Sequence, residues 1–100
     1  MKLHGIDLNT TAMQELCKKW KIIELSVFGS ILRSDFRSNS DVDLLVEFEQ
    51  EAKWNLFEQI DAEDELSACL GRRVDLIEKD HIKWVIKDRV LEVARVIYAA

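Results

Sequence analysis

A chain of 100 residues with 48% apolar side chains and a formal net charge of −5 has the makings of one domain with a modest core. The acidic balance argues against direct nucleic-acid binding, which leans on phosphate neutralisation by lysine and arginine. No apolar run reaches the roughly 18 residues of a membrane span, and the opening MKLHGIDLNT lacks the apolar stretch of a signal peptide. Cys17 and Cys69 stand in helix-like segments without metal-ligand spacing, and read as free thiols of a cytoplasmic protein.

Residues 1–8 read as a loose or short extended lead-in. Asn9, Thr10 and Thr11 offer helix caps, and Thr11 with Gln14 has the spacing of a capping box. Met13, Leu16, Cys17 and Trp20 follow as one apolar helical stripe, and Lys18, Lys19 and Lys21 place positive charge at its C-terminal end. Ile22–Phe28 is a β-rich first strand. A turn at Gly29-Ser30 opens a short helix near Ile31–Ser34, and Asp35–Ser40 is polar and turn-like. Val42–Phe48 is the second strand, with Val42, Leu44, Val46 and Phe48 toward the core and Asp41, Asp43, Leu45 and Glu47 on the other side.

A third helix begins near Lys53–Asn55 and reads to Leu70, with Gly71 as a natural terminator. Arg73–Ile77 is a short third strand interrupted by Asp75, and Asp80 can cap a last helix from His81 to about Ala99. The helical crossover predicts that strands two and three run parallel; the short link between strands one and two permits an antiparallel pair. The expected fold is α+β: a single domain over residues 1–100, with a small mixed three-stranded sheet packed with about four helices.

The chemistry gathers between Val27 and Phe48. A Gly-Ser turn after a strand lets backbone N–H groups face a phosphate, and a helix start behind it adds a favourable dipole. Asp41 and Asp43 lie two apart at the head of a strand, so their carboxylates share a face. Paired carboxylates beside a phosphate-binding turn suit magnesium, a hard cation held by carboxylates, phosphates and water. A plainer reading makes Asp41 a turn cap, which leaves Asp43, a charge beside an apolar strand, without compensation. Arg33 can face a triphosphate as a fixed fork or pair with Asp35, with Arg37 a weaker candidate. Asp75 can join the carboxylates from the neighbouring strand, or pair with Arg72 or Arg73.

Gly29-Ser30, then Arg33, then Ser40-Asp41-Val42-Asp43-Leu44 resembles the signature of the DNA polymerase β-like nucleotidyltransferases. Within that superfamily the chain is similar to the minimal nucleotidyltransferases, the antitoxin half of HEPN/MNT toxin–antitoxin pairs. The resemblance implies a nucleotidyltransferase fold in which Asp41, Asp43 and Asp75 form a catalytic, metal-binding triad. Gly29, Ser30 and Arg33 would bind the nucleotide. It implies two magnesium ions, ATP as donor, and transfer of AMP to a tyrosine of a cognate HEPN ribonuclease toxin, which silences it.

The last helix carries a second signal. Ile82, Val85, Ile86, Val90, Val93 and Ile97 form a core stripe, while Trp84, Leu91 and Tyr98 recur every seven residues on the opposite side. A helix apolar on two faces is either sandwiched or meets a partner or a second copy. Two functions compete: a magnesium-dependent adenylyltransferase acting on a partner protein, and a non-catalytic antitoxin that blocks its toxin by binding. Transfer to a small molecule is a third, weaker reading.

Overall fold

The computed structural model describes residues 1–82 and 84–100, without the side chains of Trp84 and Val85. Of the two readings of the lead-in, the extended one holds, as a small hairpin: β1 (Lys2–Leu3) pairs antiparallel with β2 (Ile6–Asp7). His4 and Gly5 form the turn with φ of 50° and 77°, the double left-handed geometry that matches strand twist in tight hairpins. Leu8, directly after the hairpin, is buried.

Helix α1 (Thr11–Lys19) buries Met13 and Cys17, and Trp20 ends it. Its cap is Thr10, whose side chain accepts from the Met13 N–H at 3.1 Å. The capping box expected at Thr11 and Gln14 does not form, because the helix starts one residue earlier than that pattern requires. Gln14 instead donates to Asn9 Oδ1 at 2.9 Å.

Strand β3 (Ile22–Phe28) leads into a 3₁₀ turn at Gly29–Leu32, and β4 (Val42–Phe48) returns antiparallel to β3. Helix α2 (Leu56–Leu70) starts with a full capping box between Asn55 and Glu58, and Gly71 caps its end. Strand β5 (Val74–Glu78) then runs parallel to β4, as the crossover predicts. Two side chains of α2 complete the outer edge of β5. Ser67 Oγ accepts from the Val74 N–H at 3.0 Å, and Glu63 Oε2 accepts from the Leu76 N–H at 2.8 Å. Edge N–H groups are thereby satisfied without a further strand.

The C-terminal segment departs from expectation. Helix α3 (Trp84–Val93) ends early, and β6 (Arg95–Ala99) pairs antiparallel with β3. The main sheet therefore has four strands in the order β5-β4-β3-β6, where three were expected. The run Val96-Ile97-Tyr98 is β-branched and aromatic, and β3 had an unpaired edge to fill; pairing buries Ile97 to 4% exposure. The seven-residue recurrence of Trp84, Leu91 and Tyr98 is consequently divided between a helix and a strand, and does not form one helical face. The Trp84 side chain lies outside the described residues.

One face of the sheet carries the core. Leu25 and Val27 of β3, with Val42, Leu44 and Val46 of β4, are fully buried together with Ala62 and Leu66 of α2 and Met13 and Cys17 of α1. Asp43 follows the alternate spacing and projects from the opposite face. Trp54 packs edge-on against Trp20, ring centroids 5.3 Å apart, and donates to the Trp20 carbonyl at 2.8 Å. It is partly buried at the rim of the core.

Candidate active site

The site is built where β3 gives way to its turn and where β4 and β5 begin. Val42 N–H donates to the Arg73 carbonyl at 2.8 Å, which fixes the start of β4 against β5. In the parallel register that follows, Asp43 is the direct partner of Asp75. Partners on adjacent strands share a face at a strand spacing of about 4.8 Å. On its other side Asp43 is paired with Phe28, the last residue of β3, so the Gly29 turn lies directly beside it.

Gly29 has φ of +75°, where side chains are strained. A Cβ there would run into Asp43 Oδ2 and sit 3.3 Å from Asp43 Cγ. Turn and carboxylate thus interlock. Ser30 turns its hydroxyl toward the Asp41 carbonyl, at 3.4 Å. Asp41 itself is exposed at the mouth of β4, and Asp75 is exposed on β5. Gly29, Ser30, Asp41, Asp43 and Asp75 therefore come together at one end of the sheet.

Burial first, then the charges of Asp75 and Asp41, push the Asp43 carboxyl above its ordinary value. A backbone hydrogen bond from Ser30 and the Arg33 charge pull the other way and do not win. Asp75 makes no ion pair among the described residues. Its expected alternative partner Arg72 is engaged elsewhere, with Nη2 donating to the Arg37 and Ser40 carbonyls at 2.6 and 3.2 Å. Arg33 does pair with Asp35, at 3.2 Å, but both side chains are about two-thirds exposed (65% and 69%), so the pair is weak. Arg37 is exposed and contributes only backbone groups.

Three contributions escaped the sequence pattern. His4 Nε2 lies 3.0 Å from the Ile31 carbonyl, and its ring stacks on Phe36 at 4.8 Å. Arg72 covers the other contact of Phe36, its guanidinium 4.6 Å from the ring centroid. Together they hold the loop that delivers Asp41. Arg89 and Arg95 line a cavity shared with Gly29 and Arg33. His4 and Arg72 are remote from the motif in sequence, and nothing local marks them as neighbours of it.

Among the described residues, no three histidine, cysteine, aspartate or glutamate side chains already enclose one metal-sized point. The fit to magnesium rests instead on the placement of Asp43, register partner of Asp75 and two residues from Asp41. A carboxyl raised first by burial and then by two neighbouring carboxylates is one that a divalent cation would relieve. One or two carboxylates suffice for magnesium when phosphates and water complete its shell. Asp43 and Asp75 would supply that pair, with Asp41 just ahead of β4.

A family profile described as the nucleotidyltransferase domain matches residues 11–97. This chain belongs to the nucleotidyltransferase domain family. It is an enzyme of the nucleotidyltransferase class. The protein adenylyltransferase MntA of Thermococcus cleftensis is 40% identical over 82 residues, covering 82% of this chain and 81% of that one. A crystal structure of a toxin–antitoxin with AMP-PNP has a chain that superposes with a TM-score of 0.69 at 19% identity, covering 86% of this chain and 69% of its own. A chain from the complex of tri-AMPylated Shewanella oneidensis HEPN toxin with its MNT antitoxin superposes with a TM-score of 0.62 at 17% identity, covering 86% and 66%. At those identities the two complexes bear on the nucleotidyltransferase fold. No described helix is long and apolar enough to cross a membrane.

Proposed function

We propose that this nucleotidyltransferase is a magnesium-dependent protein adenylyltransferase and the antitoxin of a HEPN toxin, moving AMP from ATP to a tyrosine hydroxyl of that toxin. The observation that carries the reading is the register pairing of Asp43 with Asp75 against the Gly29 turn. The resemblance to MntA supports the protein acceptor.

In this reading the Gly29–Ile31 backbone and the Ser30 hydroxyl bind the β- and γ-phosphates, and Arg33 adds a planar cationic fork. Asp41, Asp43 and Asp75 would hold magnesium, which neutralises phosphate charge and orients the nucleotide. In this reading Asp75, exposed on β5, takes the proton of an arriving tyrosine hydroxyl. A bond forms between the tyrosine oxygen and the α-phosphorus. The bond from that phosphorus to the bridging oxygen breaks, and pyrophosphate leaves. Asp41 and Asp75 are exposed, which leaves the carboxylates within reach of an acceptor hydroxyl from a partner protein.

A second reading, neutralisation by contact, is favoured by exposed apolar side chains on the C-terminal elements. Ile86 and Val93 of α3 and Val96 of β6 are 48%, 52% and 51% exposed, a surface suited to a partner. Intact mass spectrometry of a HEPN toxin incubated with this protein, ATP and magnesium separates the two. An AMP-sized increment that vanishes with Asp41→Asn/Asp43→Asn supports transfer. No increment, with the toxin still inhibited in a stable complex, supports contact alone.

A further inference from the structure

Beside the acidic cluster lies an open cavity of about 730 Å³ lined by Gly29, Leu32, Arg33, Arg89, Val93 and Arg95. Half of that lining is arginine, and none of it is acidic. The three arginines come from separate pieces of the chain: the loop after the 3₁₀ turn, helix α3 and strand β6. In a protein of net charge −5 such a gathering is not a by-product of basic composition. Among the described residues Arg89 and Arg95 have no salt-bridge partner, while Arg33 has only the exposed Asp35. The volume falls within the range of small-molecule sites.

We propose that Arg89 and Arg95, with Arg33, form the subsite that holds the β- and γ-phosphates of the nucleoside triphosphate and the pyrophosphate that departs. This rests on the nucleotidyl-transfer reading and extends it to two residues outside the motif. Gly29 belongs both to this cavity and to the contact with Asp43. A triphosphate whose α-phosphate meets the carboxylates can therefore run past Gly29 with its tail among the guanidiniums. Carboxylates alone would repel that tail; guanidiniums bind it through paired, charge-assisted hydrogen bonds. Leu32 and Val93 add an apolar flank to the cavity. Arg89 and Arg95 are exposed, so their removal does not open the core.

The test uses the full chain with magnesium and three probes: ATP, AMP and inorganic pyrophosphate. Affinities are read by displacement of a fluorescent ATP analogue. Arg89→Ala/Arg95→Ala is expected to weaken ATP and pyrophosphate by about tenfold or more and to leave AMP, which lacks the β- and γ-phosphates, unchanged. Arg89→Lys/Arg95→Lys is expected to fall between, since charge survives and the planar fork does not. Unchanged ATP and pyrophosphate affinity in the alanine variant overturns the subsite while leaving nucleotidyl transfer standing. An equal loss for AMP also overturns it, placing the arginines at the nucleoside or α-phosphate. A parent chain that does not bind the ATP analogue removes both proposals together.

Discussion

Asp43 and Asp75 face the same way from adjacent parallel strands as direct register partners, with no ion pair to either among the described residues. Burial disfavours the Asp43 carboxylate, and the charge of Asp75 raises its proton affinity further. The like charge that a cation would relieve therefore works against the stability of the fold.

That conflict gives opposite signs for stability and activity in Asp43→Asn. A carboxyl whose folded value is raised stabilises the fold fully only below its unfolded value, and that contribution is lost as pH rises through the folded one. At neutral pH the asparagine variant is expected to melt above the parent, and the difference should shrink as pH falls toward about 4. Transfer activity should fall on the order of 10³-fold through loss of phosphate charge neutralisation. Calorimetric melting at two pH values, alongside a transfer assay, checks both; a variant that melts lower at neutral pH contradicts the account. Magnesium is expected to raise the melting temperature of the parent more than that of the variant.

Gly29→Ala tests the interlock of the turn with the carboxylate. The left-handed backbone at φ +75° costs a non-glycine residue roughly 1–2 kcal/mol, and the added Cβ must displace Asp43. A fall in melting temperature on the order of 5–10 °C is expected, together with loss of magnesium-dependent nucleotide binding. Wild-type binding in a folded alanine variant would show that Asp43 has room to move.

Arg72→Ala addresses the loop that delivers Asp41. The change removes two hydrogen bonds to backbone carbonyls and the cation–π contact to Phe36. Nucleotide affinity is expected to drop about tenfold, since each charged hydrogen bond is worth about 1.5–3 kcal/mol and the loop can partly recover with water. Arg72→Lys should restore little, because one ammonium does not reproduce the flat contact with the ring. Titration of both variants with ATP and magnesium measures this; affinity equal to the parent in Arg72→Ala would mean the loop is held by His4 and Phe36 alone.

The two cysteines should differ sharply in reactivity. Burial, with a smaller effect from Cys69, pushes the Cys17 thiol up to about 12. Alkylation of the native protein near pH 8 is expected to label Cys69, which is partly exposed, and to spare Cys17 until the protein unfolds. Peptide mass mapping before and after denaturation decides it, and early labelling of Cys17 would point to ready opening between α1 and α2.

Much of the layout was legible from local chemistry. The stripe Met13, Cys17 and Trp20, the alternation of Val42, Leu44 and Val46, and the terminator Gly71 each announce their element. The parallel pairing of β4 with β5 followed from an intervening helix, since a parallel return needs a long crossover. The C-terminal segment misled, because Ile86, Val90, Val93 and Ile97 keep a helical spacing across a boundary that no glycine or proline marks. Strand β6 exists because β3 had a free edge, a condition set by residues some seventy positions earlier.

Residue identity and spacing were enough to nominate Gly29, Ser30, Asp41 and Asp43, because a turn that bares N–H groups and carboxylates two apart are short-range features, while Arg33 and Asp75 leaned on the family resemblance and, for Asp75, on an expected neighbouring strand. Which groups actually meet was a question for the folded chain. The register of β4 on β5 puts Asp75 beside Asp43, and the turn of β3 lets only a glycine lie against that carboxylate. Burial and like charge then set the proton affinity of Asp43. The grouping of Arg89 and Arg95 with Arg33 likewise depends on a helix and a strand returning to the site. Electrostatic interactions fall with distance through space, and distance along the chain carries no such information.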